Sequence, residues 1–534
     1  MKRIAVAFLA LFILNGGTVF AQAEMDAYKY SKLDLHGTAR FSSMGGAFGA
    51  LGGDISAMTT NPAGLGIYRS SEIVTTANLS FIGTNATWNN NTLKDNSTRF
   101  NFDNIAYVGF FPTGNFSGIK SWNVGFAYNR VKNFHRDYST TTSGGQSLSD
   151  YIAEITNQYG YSESNLWETD SYNPYLSRNG YNYLSLLGYN SGIIATSSNR
   201  GFVSSFSERN ASGELDLWPV EYADLQVSER GAIDKYNFSF ATNISDILFL
   251  GGTMTLTDID YAYNSYYEES FGFAQNAKTD DYMYIRNSLL TKGSGYSVNL
   301  GAIVRPSDFI RIGVAYNSPT WYKMTDTYYS EAESYIHPEG ALYSDTPDSY
   351  LDYNLRTSDR WIFSLAGIVG ASGVLSVDYE LNNYGTMKLG NDHGVSGLYD
   401  FDNSQIKNHF RTTGTLRVGG ELKITPQFAI RAGGAFTGSP MKDIAKDGSV
   451  EIYTAETFTH YTIDKGTNYY TAGLGYRFTP NFYMDLACIY KEQKEDAYAF
   501  SNVYNNNGTL VVEAESAALK TKTTRISLTF GYKF

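Results

Sequence analysis

Sulfur, proline, metal-type histidine clusters and long apolar runs are all scarce in this chain, and each shortage excludes something. One cysteine, Cys488, rules out an intrachain disulfide framework. Six histidines are scattered without metal-ligand spacing, so no metal site and no cofactor is expected. Beyond the N-terminus there is no apolar run long enough for a spanning helix, and mean hydropathy is −0.30. Hydropathy alone would make the protein water-soluble, yet a membrane β-barrel gives the same result, because only alternate residues meet lipid. The formal charge of −12 disfavours nucleic acid as a partner.

The first 23 residues read as a signal peptide. Lys2 and Arg3 precede an apolar run from Ile4 to Leu14, and small residues at Ala21 and Ala23 offer two cleavage positions. No cysteine follows the run, which excludes a lipoprotein anchor. Export would leave a mature chain of charge −14 in an oxidising compartment.

What is abundant is aromatic and small: 44 Tyr, 32 Phe and 51 Gly, against 11 Pro. That mixture suits twisted strands and interfacial aromatic girdles. Period-two alternation recurs along the chain. In the last segment Ile526, Leu528, Phe530, Tyr532 and Phe534 oppose Arg525, Ser527, Thr529, Gly531 and Lys533, and the chain ends on the apolar face. Trp122, Val124, Phe126 and Tyr128 oppose Asn123, Gly125, Ala127 and Asn129. Tyr296, Val298, Leu300, Ala302 and Val304 oppose Ser297, Asn299, Gly301 and Arg305. One face is bulky and apolar, the other small or polar.

About fourteen such segments are expected, over 70–82, 103–112, 120–130, 235–243, 247–261, 295–305, 309–317, 359–370, 373–382, 410–423, 427–436, 467–478, 482–491 and 521–534. Connections alternate between short turns (Asn243 to Asp246, Pro306 to Asp308, Ala371-Ser372, Thr425-Pro426, Thr479 to Asn481) and long polar loops, the longest about 131–233. The expected fold is an all-β membrane protein, a 14-stranded antiparallel transmembrane barrel integral to the outer membrane of a Gram-negative bacterium. Its parts are a signal peptide (1–23), an N-terminal segment (24–69) and the barrel with long extracellular loops (70–534). Phe534 is the expected signal to the barrel-assembly machinery, and outer-membrane lipid surrounds the wall. Within the longest loop, 149–158 reads as a helix capped by Ser149 or Asp150.

The segment before the barrel has its own texture, rich in Gly and Ala and nearly free of charge. Gly45-Gly46 allows close backbone approach. Asp54 is placed to cap a helix from Ile55 to about Thr59, and Asn61-Pro62 would end it before Ala63-Gly64 turns the chain. The order Met-Gly-Gly-Ala, Asp54, Asn61-Pro62-Ala63-Gly64 resembles the N-terminal hatch of the FadL-type family. The resemblance implies a 14-stranded barrel plugged by the hatch. It also implies passive uptake of hydrophobic, fatty-acid-like molecules, with Gly45, Gly46, Asp54, Asn61, Pro62, Ala63 and Gly64 serving hatch and gating. A branch of the family that shuttles secreted proteins gives the alternative, a surface protein-binding barrel or adhesin.

Four arginines near short turns, Arg305, Arg311, Arg431 and Arg477, are expected on the lumen face, where they would clamp the hatch or meet a ligand carboxylate. No catalytic constellation stands out, and no enzyme activity is expected. Asp280-Asp281 and Glu268-Glu269 read as solvated loop charge, and His337, His393 and His460 fall in separate loops.

Overall fold

The computed structural model describes residues 24–534 apart from 170, 178–179, 198–199, 210–214, 273–280, 371, 393–396 and 506. The expected signal peptide, the Ala371 turn residue and His393 lie outside the described residues.

Fourteen antiparallel strands form one closed ring. In chain order they are β1 (Glu72–Trp88), β2 (Asn91–Pro112), β3 (Ile119–Asn133), β4 (Val220–Ile244), β5 (Leu248–Phe271), β6 (Asp281–Ser307) and β7 (Ile310–Asn317, continued by Trp321–Ile336). They are followed by β8 (Arg360–Val369, preceded by Ser349–Arg356), β9 (Gly373–Asn383), β10 (Thr412–Lys423), β11 (Phe428–Gly438), β12 (Tyr461–Arg477), β13 (Phe482–Tyr498) and β14 (Ser516–Lys533). Each pairs with its neighbours in sequence, and β1 closes the ring against β14 from Glu72↔Lys533 to Thr87↔Ala518. Closure leaves no unpaired edge among the spanning segments. No described helix is long and apolar enough to cross a membrane.

The zigzag faces fall as the alternation predicts. Phe126, Phe238, Leu300, Leu365 and Phe530 lie on the outside, each about half exposed, while Asn123, Asn237, Ser297, Asn299 and Thr529 are buried inside. Bulky apolar side chains therefore meet hydrocarbon, and small or polar ones line the lumen.

The strands run well past the membrane on the long-loop side. The expected loop between the first two strands is instead a tall hairpin, turned by Asn89 and Asn90 with φ of 43° and 69°. β5 shows why the sequence hid this. Its inward residues change from Thr253, Thr255 and Thr257 to Ile259, Tyr261, Tyr263 and Tyr267, while its outward residues change from Leu250, Met254 and Leu256 to Asp258, Asp260 and Asn264. Alternation persists but its polarity inverts, because outside the membrane water is on the outer side and the interior must supply the core. The longest connection shrinks accordingly to 134–219. Its helix runs from Leu148 to Tyr159, and the cap is Ser147 rather than Ser149 or Asp150, with Asp150 completing a capping box.

Candidate functional site

Residues 24–71 thread into the lumen as a short helix α1 (Glu24–Ser31), two single-turn helices α2 (Ala39–Ser43) and α3 (Ala57–Thr60), and a 3₁₀ segment over Pro62–Ile67. Met44, Phe48, Ile55, Met58 and Leu65 are fully buried against the wall. Inward glycines make room for them. A side chain at Gly301 would collide with Asn61, and one at Gly433 would collide with the backbone of Met44 and Gly45. Gly45 and Gly46 have φ of +63° and +75°, which the close approach at this point requires of glycine.

Asn61 is wholly buried and serves as a hub. Its Nδ2 donates to Gly49 O at 2.6 Å, to Ala302 O at 3.3 Å and to Val314 O at 3.4 Å, while its Oδ1 accepts from Ala63 N at 3.1 Å. It thus caps the Pro62 segment and ties it to β6 and β7. Asp54 does not cap a helix beginning at Ile55. Its carboxylate accepts from Ser56 N (3.0 Å) and the Thr38 hydroxyl (2.8 Å), joining the two halves of the segment, and the helix starts only at Ala57. Pro62, Ala63 and Gly64 lie in the 3₁₀ turn.

The four arginines separate. Arg311 Nη1 donates to Leu51 O at 2.6 Å, a direct grip on the segment. Arg431 acts through a carboxylate: it pairs with Glu421 (2.7 Å) and Asp485 (2.6 Å), and Glu421 also takes Arg40 at 2.9 Å. Arg305 instead pairs with Asp308 in its own turn, and Arg477 is exposed at the short-turn rim.

Sequence reasoning missed the other half of the network. Asp378 accepts from Gly49 N (2.8 Å), Asn123 donates to Leu65 O (2.6 Å), His36 bridges Asp103 (2.7 Å) and Arg525 (2.9 Å), and Lys491 pairs with Asp34 (2.7 Å). Inward parity marked Asn123 and Arg525 as lumen residues, but nothing local named their partners.

Above this seat lies a cavity of about 210 Å³. Its floor is the top of α1, with Tyr28 and Lys29, and its walls include Phe134, Tyr263 and Phe458. Arg136 is neutralised by Glu229 at 2.6 Å and by Glu495. Lys132 makes no ion pair among the described residues, and its ammonium donates only to the carbonyl of Lys29, 4.8 Å over the Phe134 ring. His460 stands between the hydroxyls of Tyr138 (2.7 Å) and Tyr263 (2.8 Å), and burial pushes its imidazole down to about 3, so it is neutral. His337 lies elsewhere, its backbone N–H bonded to Asp281. Among the described residues no group of His, Cys, Asp and Glu could hold a metal ion.

The sequence pattern of the family described as outer membrane protein transport protein (OMPP1/FadL/TodX) matches residues 235–534. Among solved structures, the toluene transporter TodX of P. putida aligns with a TM-score of 0.50 at 12% identity, covering 94% of this chain and 99% of that one. A FadL homologue of Pseudomonas aeruginosa aligns with a TM-score of 0.49 at 12% identity over the same shares. At such identity the first likeness speaks for the fold alone. No curated protein sequence matches the chain.

Proposed function

The chain belongs to the outer membrane protein transport protein (OMPP1/FadL/TodX) family, and from that premise we propose that it takes up hydrophobic small molecules with an acidic, fatty-acid-like head, passively and behind an N-terminal hatch formed by residues 24–69. The observation that carries this reading is the cavity above the hatch. Aromatic walls from Phe134, Tyr263 and Phe458 suit an apolar body. Lys132, whose ammonium is lowered by burial to about 7, is not spent on a carboxylate and would be held protonated by a ligand's acidic head. A ligand carboxylate there would form a charge-assisted hydrogen bond in a site poor in water. The solved relative named as a toluene transporter supports hydrophobic cargo in general. The alternative of a surface barrel that binds secreted proteins gains no support from any observation.

Gating follows from how the hatch is held. Its grips are hydrogen bonds and ion pairs to the wall, each individually modest, so the segment can be released without breaking the barrel ladder. Two measurements test the reading. Wild-type protein should bind dodecanoate, and Lys132→Met should weaken that binding by about tenfold while leaving the methyl ester unaffected. Equal binding of acid and ester by the wild type would remove the acidic head, and binding of neither would remove hydrophobic uptake. For the hatch, Ala39 N donates to the Thr529 hydroxyl at 2.7 Å. A disulfide between Ala39→Cys and Thr529→Cys, in a Cys488→Ser background, should stop uptake when oxidised and restore it on reduction. Undiminished uptake by the cross-linked protein would exclude hatch movement.

A further inference from the structure

The outer surface carries a second site, unrelated to the lumen. On the wall around the closing seam, the register places outward-facing residues in rows across strands. One row reads Lys94 on β2, Asn85 on β1, Lys520 on β14 and Lys494 on β13. The row beneath it reads Asn96, Gly83, Lys522 and Glu492, and beneath that lie Phe81, Thr524, Tyr490 and Tyr470. The aromatic row marks the membrane interface. The lysines therefore stand two and four residues above it, where lipid headgroups lie.

The two lysine rows hold four ammonium groups and one carboxylate, Glu492. Glu492 reaches Lys520 at 3.0 Å and Lys494 at 3.7 Å, and those two side chains remain 41% and 58% exposed. Lys94 and Lys522 make no ion pair among the described residues. Lys494 and Lys520 are directly opposed across neighbouring strands, and the single charge of Glu492 offsets only one of the two ammonium groups. Gly83 lies between Asn96 and Lys522 in this row, and its missing side chain leaves room that only the Asn96 amide approaches, so the Lys522 ammonium has no bulky neighbour on β1. This excess of positive charge occurs in a chain whose formal charge is −12. The opposite wall differs at the same level: Asp258 and Asp260 face outward, and Lys323 is already held by Asp392 at 3.1 Å.

We propose that the Lys94, Lys494, Lys520 and Lys522 patch binds the phosphate groups of an anionic outer-leaflet lipid, fixing one lipid molecule against the closing seam. Compact ammonium groups spaced by the strand-to-strand distance suit phosphate oxygens, and attraction at a membrane surface grows with each lysine added.

Native mass spectrometry of the detergent-solubilised full chain, with added phosphorylated lipid A and with the same lipid enzymatically dephosphorylated, tests this. Wild-type protein should retain the phosphorylated form and not the dephosphorylated one. Lys94→Gln/Lys494→Gln/Lys520→Gln/Lys522→Gln should lose about tenfold or more in retention. Glu492→Gln removes the competing carboxylate and should strengthen binding, an outcome that does not depend on the quadruple variant folding. Lys292→Gln/Lys323→Gln on the opposite wall should bind as the wild type does. Equal retention of both lipids, equal loss from both walls, or no gain from Glu492→Gln would each overturn the proposal.

Discussion

At the scale of single residues, parity was the legible quantity and partnership was not. Counting by twos along β6 puts Asn299, Gly301 and Arg305 inside, and the structure agrees. It does not distinguish Arg305, satisfied by Asp308 three residues on, from Arg311, which holds the carbonyl of Leu51 some 260 positions away. The same limit applies to Asn61. Its neighbour Pro62 marked it as a helix stop, and the helix does end there at Thr60, but its amide also joins Gly49 to two strands remote in sequence, β6 and β7. Asn61→Ala strips buried backbone groups at Gly49 and Ala63 of their partners, costing about 1–3 kcal/mol at that point. Hydrogen exchange over residues 49–65 should accelerate accordingly, while the ladder of the barrel stays protected. Arg311→Gln should produce a smaller acceleration at Leu51 and its neighbours, whereas Arg305→Gln and Arg477→Gln should leave the segment unchanged. A uniform response from all three arginine variants would mean that the contacts seen for Arg311 hold nothing.

Elements tell a different story, because each is read by a pattern whose meaning depends on its surroundings. The membrane portions of all fourteen strands were legible, since lipid outside and small residues inside give a constant sign. Their outer halves were not, since the sign reverses at Asp258 in β5 and the inward Tyr261 and Tyr263 look like an exposed loop to anyone expecting apolar residues outside. Helix α4 (Asp400–His409) in an outer loop is likewise invisible to apolar periodicity, yet it packs on α1: His409 bonds Glu24 at 2.8 Å and Asp402 is buried nearby. Burial, and then the charge of Glu24, raises the Asp402 carboxyl to about 7. A carboxyl raised above its unfolded value of about 3.9 favours the folded state at low pH, and that contribution is lost as pH rises through about 7. The α4–α1 contact should therefore loosen between about pH 4 and about pH 7. Amide exchange in residues 400–409 should rise over that interval beyond the intrinsic base-catalysed increase. Asp402→Asn should abolish the excess, and persistence of the excess in that variant would place the titrating group elsewhere.

For the whole molecule, the inversion of polarity defines where hydrocarbon ends, and this is a thermodynamic statement rather than a geometric one. Leu300, on the outer face of β6 between Val298 and Ala302, is 57% exposed to the surroundings, and its cross-strand neighbour is Gly252. Ala262, on the outer face of β5, points the same way but lies beyond Asp258 and Asp260. Both positions are outward by parity, and in water they would tolerate a lysine equally. In a bilayer they cannot. Leu300→Lys places an ammonium group near mid-depth and should destabilise the barrel by about 2–4 kcal/mol. Ala262→Lys remains in water and should change stability by no more than about 0.5 kcal/mol. Reversible unfolding in lipid vesicles measures both. The contrast matters because the barrel ladder is continuous through the boundary: β5 and β6 stay paired from Leu248↔Val304 to Phe271↔Asp281. Backbone hydrogen bonding is therefore the same on either side, and only the solvent differs. Equal costs at the two positions would mean that the outer halves of the strands also lie in lipid. The tyrosine-lined interior above the hatch would then have to be assigned to the membrane rather than to a water-facing cap, and the cavity that Lys132 serves would open into hydrocarbon.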